Sequence, residues 1–218
     1  SGKDSTYAAY LMKKQGYPLK CLINIFPENE FSYMYHKPAK GIMKLQAETI
    51  GLPLVEVKTK GEKEKELKEL EEALILAKNK FNINGIITGA LYSVYQKDRV
   101  EKICKKLKLE CLSPLWHIDQ EEYMRTLVKA DFKIIFTKIA AYGLDKDWLG
   151  KVITDKDIDK LVEINKKIGI NVAGEGGEFE SLVIDCPLFK KKLKIKKSEI
   201  KEESENNVDL IIKEAVLS

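Results

Sequence analysis

Alternation governs the first half of this chain. Short apolar runs at residues 20–26, 53–57, 85–90 and 109–113 are separated by stretches of helical period. The helical stretches read as residues 39–50, 58–80 and a segment carrying Val100, Ile103, Cys104 and Leu107. In the charge-dense 58–80 stretch, Leu67, Leu70, Leu74, Ala77 and Phe81 fall at three- and four-residue steps, which makes one apolar stripe on an otherwise solvated helix. Strands this short, alternating with helices over short connections, specify a parallel sheet with helices on both faces. No dinucleotide glycine fingerprint follows any of these strands, which disfavours an NAD or FAD enzyme.

The chain opens on Ser1-Gly2-Lys3-Asp4-Ser5-Thr6, which runs into a helical pattern over residues 7–15 that Gly16 stops. The first turn of a helix carries unpaired N–H groups and the positive end of the helix dipole. A glycine before it lets a phosphate oxygen approach the backbone. Lys3 adds a cation, Ser5 and Thr6 add hydroxyls, and Asp4 is placed to cap the helix or hold a metal. An ordinary capped helix start has the same appearance. Ligands in open α/β sheets sit at the carboxyl ends of strands. That marks Asn24, at the end of the 20–26 strand, and Gly89-Ala90, at the end of the 85–90 strand, as candidate nucleotide contacts. Residues 31–36, Phe-Ser-Tyr-Met-Tyr-His, show no clean period; His36 reads either as a nucleotide or substrate contact or as a satisfied loop histidine.

With 218 residues and 44% hydrophobic content the chain suits one large or two small globular domains. No apolar run approaches a membrane span of about 18 residues, and no signal-peptide pattern appears, so a cytoplasmic location is expected. Cys21, Cys104, Cys111 and Cys186 lack C-x-x-C spacing, which argues against a zinc site, a disulfide framework or persulfide chemistry. The net charge of +4 is too mild to imply direct nucleic-acid binding.

Composition shifts after Trp116. Residues 119–122, Asp-Gln-Glu-Glu, start a helix through residue 129, and residues 132–141 are rich in strand formers. Thr154 caps a further helix whose apolar face is Ile158, Leu161, Val162 and Ile168. Residues 170–173 read as a strand, followed by strands at 181–185, 193–197 and 208–216. The expected division is a nucleotide-binding domain over 1–115 and a smaller α+β domain over 116–218.

The 170–173 run leads into Gly174-Glu175-Gly176-Gly177-Glu178-Phe179-Glu180. Three glycines let the backbone fold tightly, so that Glu175, Glu178 and Glu180 converge. Crowded carboxylates repel unless they share a cation. The segment therefore reads as a site for a cationic group, an ammonium ion or Mg²⁺, and its bland counterpart is a solvated turn.

The opening loop resembles the pyrophosphate loop of the adenine-nucleotide alpha-hydrolase-like superfamily, the N-type ATP pyrophosphatases, with Ser-Gly-Lys-Asp-Ser standing where that loop reads Ser-Gly-Gly-x-Asp-Ser. Such a loop normally follows a buried strand, so the chain is expected to lack its first strand. Along the whole chain a closer likeness appears. The opening loop, Glu28-Asn29-Glu30 with residues 32–36, Gly89-Ala90 with Tyr95, Gln96 and Arg99, Pro114-Leu115-Trp116, residues 174–180, and Asp185-Cys186-Pro187-Leu188-Phe189-Lys190 are together similar to the diphthine–ammonia ligase family. The resemblance implies an ATP-dependent ligase that amidates diphthine on translation elongation factor 2 with ammonia, releasing AMP and pyrophosphate through an acyl-adenylate. It implies that Ser1, Gly2, Lys3, Asp4 and Ser5 hold the phosphates, with Asn24, His36, Gly89 and Ala90 completing the nucleotide site and Mg²⁺ on Asp4. Lys3, Asp4, Glu175 and Glu178 become the expected catalytic groups. Diphthine carries a trimethylammonium group that suits carboxylates and aromatic faces. The expected substrate contacts are accordingly Tyr95, Gln96, Arg99, Trp116, Gly176, Gly177, Glu178, Phe179 and Glu180. Free ammonia is the expected donor, and a homodimer is among the expected states. Two rival readings are a tRNA-modifying ATP pyrophosphatase and a nucleotide-binding sensor without turnover.

Overall fold

A computed structural model describes residues 1–27, 41–59 and 66–218; the side chain of Gln96 and all of residues 28–40 and 60–65 fall outside that description. Helix α1 (Lys3–Lys14) is followed by strand β1 (Leu22–Pro27), α2 (Ile42–Ile50), β2 (Leu54–Thr59), α3 (Glu66–Phe81), β3 (Gly85–Ile87), α4 (Val94–Leu107) and β4 (Glu110–Leu112). The predicted strand–helix alternation is present. Its strands form two parallel pairs, β1 with β2 and β3 with β4. The expected stripe on α3 packs inward, with Leu70, Leu74 and Ala77 buried and Leu67 and Phe81 partly so.

The second half comprises α5 (Gln120–Lys129), β5 (Lys133–Ile139), a short 3₁₀ turn (Lys146–Trp148), α6 (Asp155–Ile168), β6 (Phe179–Asp185), β7 (Leu193–Ser204) and β8 (Asn207–Leu217). Its four strands form an antiparallel sheet in the order β6-β5-β8-β7. Asp119 caps α5 by accepting the Glu122 N–H at 3.0 Å. Asp157 closes the start of α6 by accepting the Thr154 N–H at 3.0 Å. Each such cap is worth roughly 1 kcal/mol.

Two expectations for this half need correction. Residues 170–173 are not a strand. Three of their four N–H groups are taken by side chains: Asn171 donates to Glu178 Oε1 at 2.8 Å, Val172 to Gln120 Oε1 at 2.9 Å, and Ala173 to Asn171 Oδ1 at 2.9 Å. Three successive donors that end on carboxylate and amide oxygens are lost to a ladder. Ile168 does not share the buried face of α6; Ile158 and Leu161 are fully buried, whereas Ile168 is 44% exposed. It is the last residue of the helix, and the left-handed Gly169 turns the chain away directly after it.

The largest core draws on both halves. Tyr7 and Ala8 of α1 pack with Tyr123, Leu127, Phe132 and Phe136. Phe136 stacks on Phe179 at 3.9 Å between centroids. Aromatic rings buried to this degree each contribute on the order of 1.5–3 kcal/mol. Hydrogen bonds lock the contact: Lys3 N–H to Ser181 Oγ at 3.2 Å, Val183 N–H to the Ser1 carbonyl at 3.2 Å, and Gln46 Nε2 to the Val183 carbonyl at 2.9 Å. Both α1 and α2 therefore rest against β6, and the opening turn is held beside the second-half sheet.

Candidate active site

Gly2 occupies the N-cap of α1 and offers no side-chain cap. With Lys3 N–H donated to Ser181, the N–H groups of Asp4 and Ser5 remain at the helix end without helical acceptors. Thr6 Oγ1 donates back to the Gly2 carbonyl at 2.8 Å, and the exposed Ser5 hydroxyl lies 3.5 Å from the same oxygen. Gly89 sits directly on this turn. A Cβ on it would fall 2.5 Å from Ser5 N and 2.6 Å from the Asp4 carbonyl carbon, both backbone atoms that cannot swing aside. The sequence-predicted contacts Gly2, Asp4, Ser5 and Gly89 are thus brought to one place, with Ala90 following in the chain.

Lys3 departs from its expected posture. Its side chain is 4% exposed, and its ammonium donates to Asp4 Oδ1 at 2.8 Å. It lies 5.8 Å from the Tyr123 ring centroid and 5.7 Å from that of Phe179. The cation is turned into the core beneath the helix, where its charge is matched by Asp4. Asp4 Oδ1 also accepts the Tyr123 hydroxyl at 2.8 Å. Asn24, in register with Glu56 across β1 and β2, donates its amide to that carboxylate at 3.2 Å. His36 lies outside the described residues, as do Glu28, Asn29 and Glu30.

A cleft of about 520 Å³ opens beside the acidic loop. Its walls are Tyr92 and Ser93 before α4, Gln120 at the start of α5, Asn165 and Gly169 at the end of α6, and the loop residues Ile170, Asn171, Glu175, Gly176 and Glu178. Glu178 acts as a brace, one oxygen accepting from Asn171 and the other from Gly176 N–H at 2.9 Å. Gly174 and Gly177 adopt left-handed backbone at φ 76° and 88°. At Gly174 a Cβ would also strike the Phe179 ring at 2.7 Å, so glycine is required there twice over.

Glu175 links the cleft to the opening turn. Burial pushes its carboxyl up to about 7, the Asp4 charge pushes in the same direction, and Lys3 and the Tyr92 N–H pull against them. At neutral pH this carboxyl exchanges a proton readily, which suits a group that takes up or gives back a proton.

The expected convergence of three glutamates is realised for two. Glu175 and Glu178 line the cleft, while Glu180 lies on β6 opposite Lys138 of β5. The expected aromatic contacts are engaged elsewhere. Phe179 is buried in the core, the Trp116 ring carries the Lys97 ammonium at 4.3 Å, and the Tyr95 ring carries the Arg99 guanidinium at 3.4 Å. Gly177 adjoins the cleft-lining Gly176, and the Gln96 side chain is not among the described groups. The cleft residues Tyr92, Ser93, Gln120, Asn165 and Asn171, and the buried Tyr123, were not singled out from the sequence. They are ordinary polar residues in helix starts and turns, and no spacing marks them.

Among the described residues no group of three or more His, Cys, Asp or Glu is arranged to hold a metal ion. Mg²⁺ keeps several waters and is commonly bound by one or two carboxylates together with substrate phosphates. A single carboxylate at the opening turn, with Oδ1 engaged by Lys3 and Tyr123, fits an ion that arrives on a triphosphate.

Parallel strand–helix units, a glycine-bounded helix N-terminus and an adjoining acidic cleft define a nucleotide-binding α/β protein. Residues 1–111 match the family model described as diphthamide synthase N-terminal domain, and residues 119–217 match the diphthamide synthase C-terminal domain. The chain belongs to the diphthine–ammonia ligase family. It is 38% identical over 217 residues to the diphthine–ammonia ligase of Mus musculus, covering 91% of this chain and 81% of that one. It is 39% identical over 219 residues to that of Homo sapiens, with the same coverage. With the diphthine–ammonia ligase of Schizosaccharomyces pombe it shares 36% identity over 95% of this chain and 37% of that longer protein.

Proposed function

We propose that this chain is an ATP-dependent diphthine–ammonia ligase that amidates diphthine on translation elongation factor 2. The observation that supports it most is the α1 opening turn packed against Gly89, with the Asp4 carboxylate there near enough for its charge to help raise the Glu175 carboxyl of the acidic loop. The opening turn then takes the nucleotide phosphates and the neighbouring cleft the cationic substrate.

A carboxylate is a poor acyl donor until its oxygen becomes a good leaving group. In the first step a carboxylate oxygen of diphthine attacks the α-phosphorus of ATP. The bond from that phosphorus to the β-bridging oxygen breaks, and pyrophosphate departs. The free N–H groups of Asp4 and Ser5 and the helix dipole stabilise the departing charge, as fixed donors do. Lys3, held inward, positions Asp4 and adds positive charge from below. When bound, Mg²⁺ supplies charge neutralisation on the phosphates, and Asp4 is the residue that would hold it. In the second step the ammonia nitrogen attacks the acyl carbon, the bond from that carbon to the AMP oxygen breaks so that AMP leaves, and the nitrogen's surplus proton passes to solvent. Ammonium must lose a proton before it attacks, and Glu175 is the cleft carboxyl suited to accept it. The trimethylammonium group of diphthine lies against the acidic wall formed by Glu175 and the loop that Glu178 braces.

Residues 1–115 carry the nucleotide and residues 116–218 the substrate in this reading, with a homodimer and a cytoplasmic setting as its further parts. Among the described residues no helix is long and apolar enough to cross a membrane. The test is turnover: the purified chain, ATP, Mg²⁺ and diphthine-bearing elongation factor 2 should release AMP and pyrophosphate with ammonium chloride as donor, and far less with glutamine. Binding of ATP without pyrophosphate release would instead identify a sensor.

A further inference from the structure

Three carboxamides stand on the walls of the cleft, and the chemistry described so far gives none of them a task. They are Gln120 at the start of α5, Asn165 near the end of α6 and Asn171 of the acidic loop. Each has one end committed to the backbone. Gln120 Oε1 accepts the Val172 N–H at 2.9 Å, and Asn171 Oδ1 accepts the Ala173 N–H at 2.9 Å. Asn165 is reversed, its NH₂ donating to the Ile170 carbonyl. A backbone N–H is matched only by the oxygen of a carboxamide, so these bonds fix which end of each is left over. Gln120 and Asn171 keep an NH₂ group, and Asn165 keeps an oxygen. Among the described residues neither of those two NH₂ groups donates to a protein acceptor.

The two donors belong to one region. Gln120 holds the N–H of the peptide link that follows Asn171. Gln120 also precedes Tyr123 by three residues, on the same face of α5, and the Tyr123 hydroxyl donates to Asp4 of the opening turn at 2.8 Å. The helix face that carries Gln120 is therefore the one that reaches the phosphate end.

We infer that Gln120 and Asn171 hold the reacting carboxylate of the substrate, an inference that rests on the proposed function. Diphthine carries its trimethylammonium group and that carboxylate on one carbon. A wall of carboxylates alone would attract the first and repel the second. Neutral N–H donors take the carboxylate without competing for the cation, and hydrogen bonds to an ionised acceptor are the strong kind. With one carboxylate oxygen held in this way, the other is left to attack the α-phosphorus.

The experiment is an NMR titration of the intact chain with two free probes. Glycine betaine carries a carboxylate and a trimethylammonium group on one carbon; choline has the cation and no carboxylate. The wild-type chain should bind betaine about tenfold or more tightly than choline. Gln120→Glu keeps an oxygen for the Val172 N–H and replaces the NH₂ with a second carboxylate oxygen. A role confined to bracing the loop would survive that change. The variant should melt near the wild-type temperature, lose that tenfold in betaine affinity and lose none for choline. Asn171→Asp, which keeps the acceptor for Ala173, should behave alike. Both should raise KM for diphthine-bearing elongation factor 2 and leave KM for ATP in place. Betaine bound no more tightly than choline by the wild-type chain, or a betaine preference that survives in both variants, overturns the assignment; survival in one alone strikes that residue from it. The wild-type ranking decides even where a variant does not fold. Absence of turnover by the wild-type chain would overturn the proposed reaction and leave the betaine ranking standing on its own.

Discussion

The Tyr123 hydroxyl donates to Asp4 Oδ1 across 2.8 Å, joining two helices whose partners lie 119 residues apart. Burial raises the Tyr123 hydroxyl well above its ordinary range, and the Asp4 charge raises it further, so it remains a donor at any working pH. The bond ties α5 to the turn that presents the free N–H groups. Tyr123→Phe keeps the ring packing and removes only this donor. Hydrogen bonds to charged groups are worth about 1.5–3 kcal/mol, so urea unfolding should register a loss of that order. KM for ATP should rise several-fold in pyrophosphate-release assays, because Asp4 then answers to Lys3 alone. Unchanged stability and an unchanged KM would mean that Lys3 suffices to hold the turn.

Gly89→Ala sets a sharper test of the same turn. The added methyl would press on Ser5 N and the Asp4 carbonyl carbon at 2.5 and 2.6 Å, so the first turn of α1 must shift. A displacement of that size at a positioning backbone can cost roughly a hundredfold. ATP affinity should therefore fall by one to two orders of magnitude. Gly2→Ala is the contrast, since its Cβ meets Ser181 at an ordinary 3.5 Å and should disturb folding little. Comparable thermal melting for the two variants, with ATP affinity intact in both, would remove Gly89 from the site.

How much of this was legible in the sequence follows from which forces act locally. Alternation, helix caps and stop glycines are local, and they located most elements, from the stripe on α3 to the caps at Asp119 and Thr154. Local reasoning failed at residues 170–173, whose apolar pattern suits a strand. The outcome there is decided by Gln120 and Glu178, side chains remote from or beyond the segment, which capture its N–H groups. The same holds at Lys3. A lysine beside a glycine turn reads as a phosphate contact, but the space between Tyr123 and Phe179 that takes its ammonium exists only once the second half has folded against α1. Gly89 and Glu175 were legible because a glycine ending a strand and an acid in a tight loop each carry a reason on their face.

Glu178 was read as a direct cation contact, and its hydrogen bonds give a different expectation. Each oxygen accepts one backbone N–H, at 2.8 and 2.9 Å, and together they close the loop that carries Glu175. In Glu178→Gln one of the two oxygens becomes an NH₂ that faces an N–H donor. The amide should therefore fail nearly as badly as Glu178→Ala. Both should raise KM for diphthine-bearing elongation factor 2 by on the order of tenfold, as expected for one lost charge-assisted bond, with a much smaller change for ATP. A glutamine variant with wild-type kinetics beside a crippled alanine variant would rule out the brace.

The pH dependence of stability isolates Glu175. Its carboxyl stands near 7 in the folded chain, chiefly through burial and then through Asp4, against an ordinary 4.5. The folded state thus binds this proton more tightly than the unfolded state. The stabilising contribution is fully present below pH 4.5, declines as pH rises between 4.5 and 7, and is gone above 7. Other carboxylates with lowered values, such as Asp157, run the opposite way, so the signal is read as a difference between variants. Glu175→Gln removes the titration while keeping a neutral side chain of similar shape. Relative to wild type it should gain stability as pH is raised from 5 to 8, measured by urea unfolding at matched ionic strength. Its turnover should lose the component that rises near neutrality, since no carboxyl remains to take the ammonium proton. Parallel stability curves for the two proteins across that range would show that Glu175 is solvated and ionised throughout, and would leave ammonium activation without its proposed base.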